Sequence, residues 1–282
     1  MHTKEEKMKA FGRLLDVQNR LRKECPWDRK QTFESLRPNT IEEVFELADA
    51  LMAQDRKEIR IELGDVMEHV VFYAMLGEEC GAFDMADVCN KEAEKLMFRH
   101  PFIDWTGWEG DPKAKAVGSK STDNSDKPTT AADVEMTWEQ IKQKEKDGNK
   151  TVLGGVPRSL PSLIKAYRIQ DKARNVGFDW KDKSDVWAKV REEMGELEDE
   201  LRKEDKERST EELGDFLFSV INAARLYHLN PDNALEKTNR KFIRRFNYVE
   251  QKAKEQGREL KDLTLGEMDE LWNEAKRKEP KK

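Results

Sequence analysis

Apolar residues recur along this chain at helical spacing, and no run of alternating β-branched residues is long enough to argue for a sheet. Phe11, Leu14, Leu15 and Leu21 mark a first helix over 5–23. A second is expected over 39–53, started by Asn39 or Thr40, with Glu43 three residues after Thr40 in the manner of a capping box. Further helices are expected over 59–80 and 84–99. The pattern then stops. Between 106 and 134, Gly107, Gly110, Pro112, Gly118 and Pro128 punctuate a Ser/Thr/Asp/Lys-rich stretch with almost no large apolar residues, which reads as a flexible linker. A short helix over 135–147 and a turn at Gly154-Gly155 and Pro157 follow. Helical spacing then resumes over 159–176, 184–203, 207–227, 231–253 and 264–277, with Asp232 as a candidate cap for the fourth of these. The organisation is therefore an N-terminal helical domain over 1–105, a linker over 106–134 and a C-terminal helical domain over 135–282.

The two halves repeat each other. Glu42-Glu43-Val44-Phe45-Glu46 followed by Glu62-Leu63-Gly64-Asp65 returns as Glu192-Glu193-Met194-Gly195-Glu196 followed by Glu212-Leu213-Gly214-Asp215, each pair of positions being 150 apart. Leu47 and Leu51 match Leu197 and Leu201 at the same offset. Single glutamates coincide easily in so acidic a chain; two matched motifs with the same internal spacing indicate duplication.

Carboxylates three residues apart share a helix face. The polar segments near Gln54–Glu58 and Lys203–Lys206 can turn the chain back, so each half would bring four carboxylates between antiparallel helices. These are Glu43, Glu46, Glu62 and Asp65 in the first half, and Glu193, Glu196, Glu212 and Asp215 in the second. A solvated charged face is the ordinary explanation of such runs. Here Asp215 leads into Phe216-Leu217-Phe218 and Asp65 into Val66-Met67, which places the charge beside a core. Like charges clustered there destabilise the fold unless a cation neutralises them. Oxygen ligands without His or Cys select Mg²⁺, Mn²⁺ or Ca²⁺ over zinc; Mg²⁺, with Mn²⁺ as a substitute, is the expected ion, because it typically keeps waters and shares its remaining sites with substrate phosphates. Lys241 and Arg245, one helical turn apart, form a candidate clamp for phosphate charge, and Lys95 and Arg99 have the same spacing in the first half.

Composition narrows the classes. Charged residues are 39% and hydrophobic residues 37% of the 282, which suits thin helical cores and burial of further surface by dimerisation. The net charge of −6 disfavours a general nucleic-acid surface. Cys25, Cys80 and Cys89 are scattered and suggest neither disulfides nor zinc. The polar N-terminus and the absence of any span-length apolar run predict a soluble, cytoplasmic protein with no membrane partner. A P-loop signature is missing, and no Ser-His-Asp or Cys-His arrangement is evident among four histidines.

The paired E-E-x-x-E and E-x-x-D motifs resemble the MazG family of nucleoside triphosphate pyrophosphohydrolases. The resemblance extends over nearly the whole chain, through Cys25-Pro26-Trp27-Asp28 with Gln31-Thr32, Arg99-His100-Pro101, Trp138-Glu139-Gln140-Ile141-Lys142, Pro157-Arg158-Ser159-Leu160-Pro161 and Val176-Gly177-Phe178-Asp179-Trp180. It implies an all-α fold of two tandem domains whose helix bundles are completed in a homodimer. It also implies Mg²⁺ and cleavage of an NTP to NMP and pyrophosphate. By this resemblance Glu193, Glu196, Glu212 and Asp215 are metal ligands, Lys241 and Arg245 contact phosphates with Asn239 nearby, and Trp272 and Lys276 close over the nucleotide. Packing beside Leu271 and Met268 is an equally good account of Trp272. The family often has Lys where this chain has Arg208, which keeps the charge but not a Lys-specific contact. Ala93 stands where the second half has Asn239, and the connection before the basic helix is four residues longer in the first half, so the C-terminal site is the expected catalyst. Two other functions remain open: a narrower enzyme for dUTP or modified nucleotides, and a non-enzymatic helical interaction protein.

Overall fold

The computed structural model describes residues 1–105 and 151–279, together with Thr130, Val134 and Ile141. The rest of the expected linker and of the short helix over 135–147 lies outside the described residues. The chain divides into two compact units, Met1–Val134 and Glu135–Lys282. Among the described residues the regular elements are helices, and there is no strand.

The first unit contains α1 (Lys4–Glu24), α2 (Phe33–Ala53), α3 (Arg56–Glu79) and α4 (Met85–Arg99). A capping box between Thr3 and Glu6 starts α1, and one between Asp84 and Asp87 starts α4. Helix α2 begins well before the expected Asn39 or Thr40. Thr32 caps it, its hydroxyl accepting from the Ser35 amide while Ser35 returns the bond, and the helix runs on through Pro38. The extra turn is held because it places Leu36, 1% exposed, against Phe72, Met75 and Leu76 in the core. Thr40, freed from capping, accepts no first-turn amide. Its hydroxyl donates to Leu36 O at 3.0 Å and lies 2.9 Å from His69 Nδ1 and 2.7 Å from Tyr73 Oη.

The second unit contains α5 (Ser162–Arg174), α6 (Lys183–Arg202), α7 (Lys206–Leu226), α8 (Pro231–Glu255) and α9 (Leu265–Lys278). Asn230, not Asp232, caps α8. Its side chain accepts from the Asn233 amide, and Pro231 occupies the first helical position, where a missing N–H costs nothing. Helix α6 lies against α7, α5 covers α7, and α9 folds back on α8. Val186, Val190, Ala223 and Leu226 form the core, with Phe216 packed against it.

The duplication extends to backbone geometry. Helices α2 and α3 are joined through Gln54 in the left-handed conformation (φ 57°) and then the N-cap Asp55; α6 and α7 are joined through Glu204 (φ 58°) and the N-cap Asp205. Each turn residue lies 150 positions from its counterpart. These tight turns return the second helix of each pair antiparallel to the first, and so decide which carboxylates meet.

A duplicated helix-hairpin carboxylate site

In the second unit, Glu193 and Glu196 stand on α6 and Glu212 and Asp215 on α7. Carboxylate oxygens of Glu193, Glu196 and Glu212 all lie within 4.8 Å of one another, an arrangement that could hold a metal ion. Asp215 lies outside this tightest trio but close enough to act on it. Burial, then the charges of Glu196, Asp215 and Glu193, push the Glu212 carboxyl above its ordinary range. Glu193 is only 7% exposed.

The first unit gathers Glu43, Glu62 and Asp65 within the same distance, leaving Glu46 at the margin. Burial followed by Glu46, Asp65 and Glu43 raises the Glu62 carboxyl. Burial followed by Glu46 and Asp65 raises Glu43, against an opposing influence from His69. Glu62 Oε2 is buried without a hydrogen-bond partner. All-oxygen donor sets that repel one another suit a hard divalent cation, and the unpartnered Glu62 oxygen adds to this in the first unit.

The predicted cationic residues have other bonded partners. Arg245 on α8 binds Glu279 through Nη2 at 2.6 Å and Nε at 3.2 Å, and its guanidinium lies 5.6 Å from the Trp272 ring centre. Trp272 on α9 packs against Phe242 with ring centres 5.0 Å apart, so its packing partner is Phe242. Asn239 donates to Glu236 at 3.3 Å. Lys241 is half-buried, whereas Lys276 and Arg208 are exposed. Among the described residues no hydrogen bond or ion pair joins Lys241, Arg245, Asn239, Trp272 or Lys276 to the four carboxylates. Of the site residues named from sequence, the carboxylates gather on the α6–α7 hairpin, and Arg245 and Trp272 form a second cluster with Glu279.

One cation beside the carboxylates escaped the sequence reading. Lys189 Nζ lies 2.7 Å from Glu193 and 2.9 Å from Glu192, and these bonds raise its pKa. The signal was present, because Lys189 precedes Glu193 by one helical turn. A cavity of about 680 Å³ opens from this point, lined by Glu193, Asp215 and Lys189 on one side and by Phe178, Trp180 and Phe218 among its apolar walls. Arg225, 6% exposed, lines it as well, donating to Asp179 Oδ2 at 3.1 Å and to Asn222 Oδ1 at 2.8 Å. The first unit fills the matching positions differently. Asn39 stands where Lys189 does, Met75 where Arg225 does, and fully buried Phe72 where Asn222 does.

Fold and site together define the class, an all-α protein with a duplicated helix-hairpin carboxylate site. The chain belongs to the MazG nucleotide pyrophosphohydrolase domain family, whose pattern it matches twice, over residues 31–103 and 182–250. It is 38% identical to the nucleoside triphosphate pyrophosphohydrolase of Escherichia coli, over 96% of this chain and 99% of that protein. It is also 38% identical to the nucleoside triphosphate pyrophosphohydrolase/pyrophosphatase MazG of Thermotoga maritima, over 94% and 95%. An uncharacterized protein of Bacillus subtilis, YabN, is 42% identical over 90% of this chain and 49% of its own length.

Proposed function

We propose that the C-terminal unit hydrolyses nucleoside and deoxynucleoside triphosphates at the α-phosphorus, giving the monophosphate and pyrophosphate, with Mg²⁺ held by Glu193, Glu196, Glu212 and Asp215. The class follows from the family: the chain is a nucleoside triphosphate pyrophosphohydrolase. The single observation that favours the second unit is the cavity beside Glu193 and Asp215, whose counterpart positions in the first unit hold Phe72 and Met75. The domain reading of 1–105, 106–134 and 135–282 belongs to the same proposal.

Glu193, Glu196, Glu212 and Asp215 would hold the divalent cation, which when bound would supply charge neutralisation for the phosphates and a more acidic water. Either Glu193 or Glu196 takes the proton of that water. Lys189, fixed against Glu193, supplies positive charge at the same end of the cavity. Lys241 and Arg245 bear on the departing pyrophosphate, with Asn239 beside them and Arg208, Trp272 and Lys276 completing the nucleotide contacts. For Arg245 this requires exchanging Glu279 for phosphate oxygens.

A homodimer is part of this reading. Five pairs of exposed apolar residues recur at the 150-residue offset on the carboxylate hairpins: Val44 and Met194, Leu51 and Leu201, Leu63 and Leu213, Met67 and Leu217, Val70 and Val220. An apolar face this consistent in both units suits burial against a second copy. No helix among the described residues is long and apolar enough to cross a membrane. With the acidic balance, this supports a cytoplasmic enzyme that acts on nucleotide pools, with neither a membrane nor nucleic acid as partner.

Product analysis with ATP and the dNTPs is the test. NMP plus pyrophosphate is expected; NDP plus phosphate overturns the reaction. A substrate panel with dUTP and modified nucleotides separates a general enzyme from a narrow one. Failure of Mg²⁺ and a non-hydrolysable nucleotide to bind in calorimetry would leave the interaction-protein reading.

A further inference from the structure

We propose that Gln170 selects the substrate through its base, its side-chain carbonyl accepting a hydrogen bond from a nucleobase N–H inside the α5–α7 cavity. This rests on the reading of that cavity as the nucleotide site. With the triphosphate end held near Glu193, Asp215 and Lys189, the nucleoside lies along the remaining wall, where Phe178, Trp180 and Phe218 offer apolar and aromatic surface.

Gln170 lines the same cavity from α5 and is 5% exposed. Its Nε2 donates to the Phe218 carbonyl at 2.7 Å, which fixes the amide and assigns Oε1 as the group left to accept. Oε1 is buried and has no hydrogen-bond partner. Other polar groups of the lining are committed: Ser219 Oγ donates to Phe216 O at 2.8 Å, and Arg225 is held by Asp179 and Asn222. A buried acceptor left unmet is costly and uncommon, and it marks the position a ligand donor would complete. Every common nucleobase carries at least one N–H on the edge away from its sugar, while the ribose offers hydroxyl donors and the ionised triphosphate none. The base is assigned as the partner of Oε1, and analogues that keep the ribose but lose the base N–H decide between base and sugar. This is the kind of contact that rejects an analogue lacking the donor, because the buried oxygen then stays unpaired.

The test compares ATP with purine riboside 5′-triphosphate, and CTP with the 5′-triphosphate of 2-pyrimidinone riboside, analogues without any base N–H. Wild-type protein is expected to prefer the N–H-bearing member of each pair by about tenfold or more in kcat/KM. Gln170→Met is expected to bring both ratios close to one while turnover of the analogues is kept. Equal handling of each pair by wild type overturns the inference without reference to any variant. So does an equal loss on both members in Gln170→Met. The same pairs are measured for binding in calorimetry as non-hydrolysable α,β-methylene derivatives with Mg²⁺. Base discrimination in binding without release of pyrophosphate sinks the hydrolase reading alone. Pyrophosphate release without discrimination sinks the role of Gln170 alone.

Discussion

Glu212 holds its proton to higher pH than a free glutamate because burial and four neighbouring carboxylates act against its charge. The folded carboxyl is thus the weaker acid. It favours the fold below the ordinary carboxylate range and loses that contribution as pH rises through its raised value. Metal-free protein at neutral pH therefore carries the full repulsion. Glu212→Gln is expected to raise Tm by a few degrees in EDTA at pH 7, with a smaller gain near pH 4, and to lower turnover roughly a hundredfold or more. Glu62→Gln in the first unit is expected to leave turnover near wild type. Thermal melts and pyrophosphate release check both; if only Glu62→Gln abolishes activity, the catalyst is the first unit. Asp179 behaves in the opposite sense. Burial acts to raise its carboxyl, but hydrogen bonds from Arg225 and the Trp180 amide, with the Arg225 and Arg174 charges, outweigh burial and hold it low. Its contribution is present above the ordinary carboxylate range and is lost as pH falls through the depressed value. Asp179→Asn leaves the nearly buried Arg225 uncompensated and should cost about 3 kcal/mol in urea unfolding at pH 7, with less lost at low pH.

Each carboxylate hairpin depends on a short turn, two residues between α2 and α3 and three between α6 and α7. Glu204 and Gln54 adopt a left-handed backbone that side chains with a Cβ disfavour, and the aspartate that follows caps the next helix. Glu204→Gly is expected to stabilise the second unit by about 1 kcal/mol. Asp205→Ala should destabilise it by about 1 kcal/mol through loss of the bonds to the Glu207 and Arg208 amides. Chemical denaturation of the two variants gives the sign directly; equal changes in the same direction would show that the turn does not set the hairpin. These turns were anticipated from their polar composition. The true start of α2 was not, because a single Thr/Ser pair at Thr32 and Ser35 competes with the later Thr40/Glu43 pair, and burial of Leu36 chooses between them. The cap of α8 was missed by two residues for a local reason, Pro231 being best placed at the first turn with Asn230 before it.

For the protein as an assembly, the exposed apolar residues shared by the two hairpins carry the expectation. Leu213 and Leu217 are 45% and 49% exposed on α7 and sit one helical turn apart. A dimer of the wild-type protein, as proposed, should become a monomer in light scattering when both are replaced with Lys, while helical content is kept. A dimer unchanged by the double variant would remove this face from the interface.

The duplication, the helical class, the hairpin turns and the carboxylates that gather three to a unit were legible in the chain itself, because they rest on spacing, and spacing along a helix translates directly into a shared face. Packing settled the rest. Three carboxylates of each four meet most closely, and the marginal one is Glu46 in one unit and Asp215 in the other. Arg245 rests on Glu279 and Trp272 instead of on the acidic site, since a guanidinium takes the carboxylate and ring that the return of α9 places beside it. Lys189, the Asp179–Arg225 pair and the unpaired Gln170 Oε1 enter one cavity from four stretches of chain. Periodicity says which residues share a helix face; which faces enclose a space, and which polar atoms are left unpaired in it, depends on how helices far apart in sequence pack together.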